Sequence, residues 1–262
     1  MKADKFRDGG KSLYEDFKQN NTFSLMVGDY APDNIEEAYE IQNEYMRLRA
    51  EGSGEFAGYK IAYTTKVMQE RLGAKEPVYG RIFKSNVLHS PSSVVASDYV
   101  RLGIECEIAV ILGHDLYSKS GHIDKDQVFD AVESISIAYE IIDGRPSLGE
   151  DSIPQSIATN ISGAGVVLGN AVKNWRDLDI PGSVCDLKLN GQTVGSGKGS
   201  DVNGHPVEPM VWIANALLSR GKYLKAGDLV ITGSMIPPTF LDAGTLALLE
   251  MDNLGSVTLS VE

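Results

Sequence analysis

Alternating apolar and polar positions predict two β-strands that each carry acidic side chains on one face. Successive residues of a strand point to opposite faces. In the stretch 104–112, Glu105 and Glu107 share one face, and the other face is an apolar row of Ile104, Cys106, Ile108, Val110 and Leu112. In the stretch 134–142, Glu140 stands with small residues opposite a second apolar row, Ile135, Ile137, Tyr139 and Ile141. Each strand is therefore predicted to pack one face against a core and to carry acidic side chains on the other face.

The first part of the chain has helical periodicity instead. Phe6, Leu13 and Phe17 predict a helix within residues 1–20. A second helix is predicted from a capping box with Asp33 as the cap to about Ala50, with a stripe of Ile35, Ala38, Tyr39, Tyr45 and Leu48. The sequence Glu51-Gly52-Ser53-Gly54-Glu55 is typical of a flexible break. It divides an N-terminal helical segment, residues 1–54, from a strand-rich domain, residues 55–262. The helical pair is too small to bury a core alone.

The rest of the chain is predicted to be mostly strands, with few helices between them. The predicted strands are 56–63, 98–112, 134–142, 163–168, 228–232, 246–251 and 256–261, with a hairpin over 185–194 that turns at Asn190-Gly191. The predicted helices are a Thr65-capped helix to Leu72, an Asp124-capped helix and a helix over 209–220 that stops at Gly221. This order indicates an α+β fold with a mixed or antiparallel sheet.

Composition narrows the class of protein. The 262 residues carry a formal net charge of -12, which argues against a nucleic-acid partner and against binding to an anionic membrane. No apolar run reaches the length of a membrane span. The two cysteines give no disulfide framework, and the N-terminus lacks an apolar signal-peptide stretch, so the expected location is cytoplasmic.

The acidic residues on the two strands predict a metal site. Glu105 and Glu107 have two explanations: a solvent-facing strand edge paired with Lys or Arg, or a pair that shares a divalent cation. Glu140 favours the second, because it lies on the polar face of an otherwise apolar strand. Three carboxylates are suited to a hard ion, Mg²⁺ or Mn²⁺. Zinc is disfavoured, since no His or Cys has ligand spacing.

Two further polar residues have both a structural and a functional explanation. Lys60, in Gly58-Tyr59-Lys60-Ile61, is either an exposed strand position or a partly buried amine suited to acid–base work. Ser234 follows a predicted strand, where its hydroxyl either lines a pocket or belongs to a plain turn. The run Gly195–Ser200 lacks the spacing of a phosphate-binding loop and is interpreted as a turn or substrate-edge loop.

Several short motifs occur in a fixed order. They are Gly58-Tyr59-Lys60-Ile61, Pro77-Val78-Tyr79-Gly80, Ile104-Glu105-Cys106-Glu107-Ile108-Ala109, Tyr139-Glu140-Ile141-Ile142-Asp143, Ser196-Gly197-Lys198-Gly199-Ser200, Gly204-His205-Pro206 and Thr232-Gly233-Ser234. Together they resemble the 2-keto-4-pentenoate hydratase / 4-oxalocrotonate decarboxylase family of the fumarylacetoacetate-hydrolase superfamily, from about Ser24 onwards.

The resemblance implies a mixed sheet rolled into a barrel-like core after an N-terminal helical segment. It implies Mg²⁺ or Mn²⁺ on Glu105, Glu107 and Glu140, with Lys60 as the catalytic lysine. Tyr79 and Ser234 are the implied substrate-binding residues. Family members act on 2-oxo acids from the meta-cleavage of aromatic compounds. They usually form homo-oligomers, and some associate with a related subunit.

The chain departs from the family pattern at two positions. Val78 stands where the family commonly has Asp, and Thr159 precedes Asn160 where relatives often have Asp. Val78 cannot transfer a proton. The resulting hypothesis is a metal-dependent lyase, a hydratase or a decarboxylase, that works through a metal-stabilised enolate of a small unsaturated 2-oxo acid. The alternatives are an acylpyruvate-type C–C hydrolase and a catalytically altered binding or partner subunit.

Overall fold

The computed structural model describes residues 2–24, 28–145 and 152–262. The helices are α1 (Lys2–Lys18), α2 (Ile35–Ser53), α3 (Lys66–Leu72), α4 (Lys125–Ala131), α5 (Ile153–Ala158) and α6 (Pro209–Leu218). The strands are β1 (Phe56–Ala62), β2 (Val78–Phe83), β3 (Val87–His89), β4 (Ser92–Val94), β5 (Leu102–Leu112), β6 (Val132–Asp143), β7 (Gly163–Leu168), β8 (Val184–Leu189), β9 (Gln192–Lys198), β10 (Leu229–Ile231), β11 (Ile236–Phe240), β12 (Leu246–Met251) and β13 (Gly255–Val261). Residue 1 of the first predicted helix lies outside the described residues.

Two sheets form the body of the fold. An eight-stranded sheet has the order β2-β1-β10-β5-β6-β7-β3, with β11 also paired to β5, and a five-stranded sheet has the order β4-β13-β12-β8-β9. The pairs β1–β10, β3–β7 and β4–β13 are parallel and the others antiparallel, so both sheets are mixed. The larger sheet curls, so that the turn before β7 lies against β2. The Asn160 side chain there accepts a hydrogen bond from the Arg81 backbone N–H at 2.7 Å. The predicted mixed sheet with a barrel-like core is confirmed.

The main core fills the space between the two sheets. It contains the apolar rows of β5 and β6, among them Ile108 and Tyr139, together with Leu187, Leu249 and Val257 from the smaller sheet. A second apolar cluster lies on the opposite, concave face of the larger sheet, around Ala109, Ala138, Val166 and Ile231. The alternation in the sequence therefore separates two faces as predicted, although both of them are buried.

The N-terminal helices pack against the curled sheet. α1 and α2 form an apolar cluster together with Phe83 of β2 and Ala158 of α5. The buried Gln42 of α2 donates hydrogen bonds to the carbonyls of Tyr79 and Ile157, at 3.1 and 2.8 Å. Among the helices in the described ranges, none has the length and apolarity needed to cross a bilayer.

Several local predictions can be checked against the helix caps and turns. Thr65 and Asp124 cap their helices as predicted. The predicted cap Asp33 is wrong by one residue: Asn34 has the extended cap conformation, and its side chain accepts the Glu37 N–H at 3.0 Å. Asn190 and Gly191 both have positive φ, which is the conformation that a two-residue hairpin turn requires. The strands β2, β3, β4 and β11 and the helix α5 were not predicted from the sequence pattern.

Candidate metal centre

The three predicted carboxylates meet on the concave face of the curled sheet. In the antiparallel β5–β6 pair, Glu105 is directly opposite Glu140, and Glu107 is opposite Ala138. Each of the three glutamates offers one carboxylate oxygen, and these oxygens all lie within 4.8 Å of one another. The two-residue period of both strands, combined with this register, places all three side chains on one face.

Two of the carboxylates are buried without enough protein donors. Glu107 is 0% and Glu140 is 1% exposed, while Glu105 is half-buried. The Gly233 N–H donates to Glu107 Oε2 at 2.8 Å. Glu107 Oε1 and Glu140 Oε2 have no hydrogen-bond partner among the described residues. Buried carboxylate oxygens are costly unless something positive meets them.

Lys60 supplies one positive charge to this cluster. It is 2% exposed, and its Nζ lies 2.5 Å from Glu140 Oε1. The same Nζ donates to the Ile161 carbonyl at 3.0 Å. Lys60 is thus a buried amine fixed on a carboxylate, which favours the functional explanation over the exposed strand position.

The electrostatics of the cluster follow from burial and from its excess of negative charge. Burial, reinforced by Glu140 and Glu105, raises the pKa of Glu107 well above its ordinary value. Burial likewise raises the pKa of Glu140 to about 7, although the Lys60 ammonium opposes that shift. Burial disfavours the charged form of Lys60, but the carboxylates of Glu140, Glu105 and Glu107 outweigh it and raise the pKa of its ammonium. A single ammonium does not neutralise three carboxylates.

The donor set fits a hard divalent cation. Three carboxylates from two rigid strands, with unpartnered oxygens on Glu107 and Glu140, are the all-oxygen ligands that Mg²⁺ and Mn²⁺ prefer. Cys106 belongs to the main core on the other face of β5, and burial raises the pKa of its thiol, so it is no ligand. In the described part of the chain these three glutamates are the one group of three or more potential metal ligands.

Of the two expected substrate-binding residues, Tyr79 lies away from the carboxylates and Ser234 lies next to the turn that binds Glu107. Tyr79 is opposite Ile61 in the β1–β2 pair, so it points to the face opposite Lys60. There it stacks on Tyr39 with ring centroids 4.5 Å apart. The structure therefore does not bring Tyr79 to the carboxylates. Val78 pairs with Ala62 and is buried, 1% exposed.

Ser234 lies beside the centre, but its hydroxyl is committed to the backbone. It accepts the Cys106 N–H at 3.1 Å and donates to the Ile236 carbonyl at 2.6 Å. Its neighbour Gly233 supplies the N–H that binds Glu107. Ser234 thus holds the turn after β10 against β5. The group of this turn that contacts a proposed metal ligand is the Gly233 amide, which binds Glu107.

Sequence reasoning missed the residues that surround the Lys60 side chain. They are Gly80 on β2, Gly163 on β7 and the buried Asn160 between them. Two sequence signals touched them: Gly80 ends the Pro77-Val78-Tyr79-Gly80 motif, and Asn160 belongs to the Thr159-Asn160 dipeptide. Neither signal indicated a packing role beside Lys60, because such a role becomes visible only once the strands are placed.

Most of the chain matches known proteins. The family model for the C-terminal domain of fumarylacetoacetate hydrolase matches residues 62–262. A 2-hydroxyhexa-2,4-dienoate hydratase from Comamonas testosteroni is 30% identical over 253 residues, which is 95% of each chain. A 2-keto-4-pentenoate hydratase from Paraburkholderia xenovorans (strain LB400) is 27% identical over 255 residues, 97% of this chain and 94% of the relative.

The fold comparison gives the same result. The structure of a 4-oxalocrotonate decarboxylase from Pseudomonas putida G7, complexed with magnesium and adipate, matches with a TM-score of 0.91. The match covers 99% of this chain and 98% of that chain at 22% identity, a level that shows the fold. The ordered motifs, the matched family model and the shared fold together show that this chain belongs to the fumarylacetoacetate hydrolase family.

Proposed function

We propose that the protein is a divalent-metal-dependent lyase that acts on a small unsaturated 2-oxo acid of the aromatic meta-cleavage type. The observation that carries the proposal is the group of three glutamates on one buried face, with carboxylate oxygens within 4.8 Å and an ammonium attached to one of them. The hydratases that match over most of the chain support the lyase class.

Glu105, Glu107 and Glu140 would hold the ion, which we propose to be Mg²⁺ or Mn²⁺. When bound, such an ion supplies Lewis-acid stabilisation of negative charge on the 2-oxo group of the substrate. The protein's own contribution is rigidity: β5 and β6 fix the three carboxylates, and the Gly233 N–H orients Glu107. Glu105 is the most exposed of the three glutamates, and we propose that the substrate approaches from its side.

Lys60 is the proposed catalytic residue. Its ammonium would hold the substrate carboxylate or carry a proton next to the reacting carbon. The charged groups that act most strongly on Lys60 are the three glutamates themselves. With Val78 buried and apolar at the position of the family's Asp, decarboxylation or tautomerisation is favoured over hydration, because neither step needs an activated water.

One assay separates the candidate reactions. The protein is purified with Mg²⁺ and given 2-hydroxypenta-2,4-dienoate and, separately, an oxalocrotonate-type diacid, with ultraviolet loss and CO₂ release followed. A product of the dienoate that is heavier by one water, identified by mass spectrometry, shows hydration, and loss of absorbance without a change of mass shows tautomerisation. CO₂ from the diacid shows decarboxylation. A short-chain acid released with pyruvate from an acylpyruvate would show the hydrolase alternative. No turnover of any of them would refute the enzyme and leave the binding or partner subunit.

We further propose a homo-oligomer in the cytoplasm, with a related subunit as a second partner to be tested. Exposed apolar side chains on the smaller sheet support self-association: Val184, Val194 and Leu246 are 41%, 52% and 49% exposed. We also propose that the chain divides into a helical segment, residues 1–54, and a metal-binding catalytic domain, residues 55–262. Light scattering of the purified protein would give the oligomer number.

A further inference from the structure

The Lys60 side chain passes between two glycines that belong to different strands. A Cβ added to Gly80 of β2 would lie 3.0 Å from Lys60 Cγ, and one added to Gly163 of β7 would lie 3.0 Å from Lys60 Cδ. The Gly163 Cβ would also lie 3.2 Å from Glu140 Oε1. Contacts this close force the neighbour to move. Only glycine at both positions leaves the lysine its present path.

Gly80 and Gly163 form two walls of a narrow channel that encloses the Lys60 side chain. The turn that precedes β7 forms the third wall. Asn160, Ile161 and Ser162 have φ of 58°, 51° and 57°, a left-handed conformation that is rare for a β-branched residue such as Ile161. The turn is held by Asn160, whose side chain accepts the Arg81 N–H at 2.7 Å and donates to the Arg81 carbonyl at 3.1 Å. As a result the Ile161 carbonyl faces Lys60 Nζ at 3.0 Å.

We infer that Gly80, Gly163 and Asn160 are positioning residues that hold the Lys60 ammonium on Glu140 as a fixed cation. The inference rests on the proposed function and deepens it. Nζ donates a hydrogen bond to the Ile161 carbonyl and forms an ion pair with Glu140 Oε1, so the protein fixes the ammonium from two sides. In this arrangement the aliphatic chain has no space in which to swing a proton from one place to another.

A fixed ammonium also completes the charge of the centre. Three carboxylates exceed the charge of a divalent ion by one, and Lys60 offsets that excess. The loaded centre is then neutral and accepts a 2-oxo acid anion without repulsion. Displacing the ammonium should therefore weaken the binding of the anion more than the binding of the metal.

The test is a double-mutant cycle between Gly163→Ala and Lys60→Ala. Calorimetry measures Mn²⁺ binding to each purified full-length protein, and then oxalate binding to the Mn²⁺-loaded protein. Gly163→Ala alone is expected to weaken oxalate binding by roughly 10-fold or more while the Mn²⁺ affinity changes by less than about threefold. In the Lys60→Ala background, which lacks Cγ and Cδ, the same change is expected to alter oxalate affinity by less than about twofold.

The matched control is Gly165→Ala, two residues further along β7. Its Cβ would lie 2.9 Å from the Asn86 carbonyl oxygen and has no contact with Lys60 within its three nearest atoms. Its effect should be equal in both Lys60 backgrounds. The inference is overturned if Gly163→Ala leaves oxalate binding unchanged, or if its effect is as large without the lysine side chain as with it.

The inference can still be tested if the Gly163→Ala variant does not fold or if the protein binds no Mn²⁺. If Gly163→Ala does not fold, recovery of folding in the double variant supports the channel, and continued unfolding overturns it. If the protein binds no Mn²⁺, the proposed function fails. The cycle is then measured from the unfolding free energies of the metal-free proteins, where coupling between the two positions supports the channel and additivity overturns it.

Discussion

Glu105 and Glu140 lie directly opposite each other across the antiparallel β5–β6 pair. Like charges at such a position destabilise a sheet. Here Glu107, two residues along β5, adds a third carboxylate. Among the described residues, Lys60 is the one ammonium in contact with the group, 2.5 Å from Glu140. Two rigid strands therefore maintain an excess of negative charge in a buried place. The most economical explanation is a cation that this excess binds.

The first prediction concerns that cation. Changing both Glu105 and Glu107 to Gln should lower Mn²⁺ affinity on the order of 100-fold or more, because neutral amides replace two of three charged ligands. Calorimetry with Mn²⁺ measures the effect. The control is Glu133→Gln on the same strand pair, an exposed residue whose carboxylate pairs with Lys173 at 2.9 Å. Unchanged Mn²⁺ binding and turnover in the double variant would contradict the site.

The second prediction concerns the lysine. Lys60→Met should weaken oxalate binding to the Mn²⁺-loaded protein by about 10-fold or more and reduce turnover, since a buried charge-assisted contact is removed. Mn²⁺ affinity should not fall, because the variant removes a positive charge from beside the ion. Lys173→Met, an exposed lysine, serves as the control. A loss of Mn²⁺ binding with normal oxalate affinity would assign Lys60 to the metal instead.

The parts of this centre that were predictable are those set by alternation within a strand. The period of two fixes Glu105 and Glu107 on one face of β5, and it isolates Glu140 from the apolar row of β6. The register that brings Glu105 opposite Glu140 is a long-range property, and it became visible only with the two strands paired. The expectation for Tyr79 came from a motif and not from strand alternation, which puts its ring on the opposite face from Lys60.

The missing parts have a common physical cause. The residues that enclose Lys60 come from elements that are far apart in the chain and meet only where the curled sheet brings β2 and β7 together. They are Gly80, Gly163 and Asn160. A glycine carries no local pattern that distinguishes a turn from a close approach. The cap at Asn34 in place of Asp33 is a smaller error of the same kind, since both residue types cap helices equally well.

The third prediction concerns how the helical segment is attached. Arg145 is 4% exposed, and its Nε donates to Asp143 Oδ2 at 2.5 Å. The same guanidinium donates to the Asn21 carbonyl at 3.1 Å and to the Asn20 side chain at 2.6 Å. It therefore ties the end of β6 to the chain that follows α1. Arg145→Met would remove the cation that pairs with the buried Asp143 carboxylate.

We expect Arg145→Met to lower the free energy of unfolding by about 3–5 kcal/mol, measured by urea denaturation. The control is Lys188→Met, which breaks the exposed pair between Lys188 and Glu250 and should cost at most about 1 kcal/mol. Equal effects of the two substitutions would show that Arg145 does not anchor the segment. A large effect confined to residues 1–54 in hydrogen exchange would show that the segment opens separately.

The fourth prediction uses the raised carboxylate pKa values in the metal-free protein. Burial and the charges of Glu140 and Glu105 raise the pKa of Glu107 well above its ordinary value, and burial raises the pKa of Glu140 to about 7. The folded protein thus binds these protons more tightly than the unfolded chain does. Between the unfolded and folded pKa values, stability must fall as the pH rises. The stabilising protonation is complete below the unfolded pKa and lost above the folded one.

Glu107→Gln removes one of these titrations while keeping an oxygen that can accept the Gly233 N–H. In EDTA at pH 8 the variant should therefore melt several degrees above the unchanged protein, and the difference should shrink as the pH is lowered towards 5. Saturating Mg²⁺ should reverse the order, because the ion stabilises only a folded state with its ligands charged. If the variant melts below the unchanged protein in EDTA at pH 8, Glu107 carries no uncompensated charge, and the electrostatic basis of the metal site is wrong.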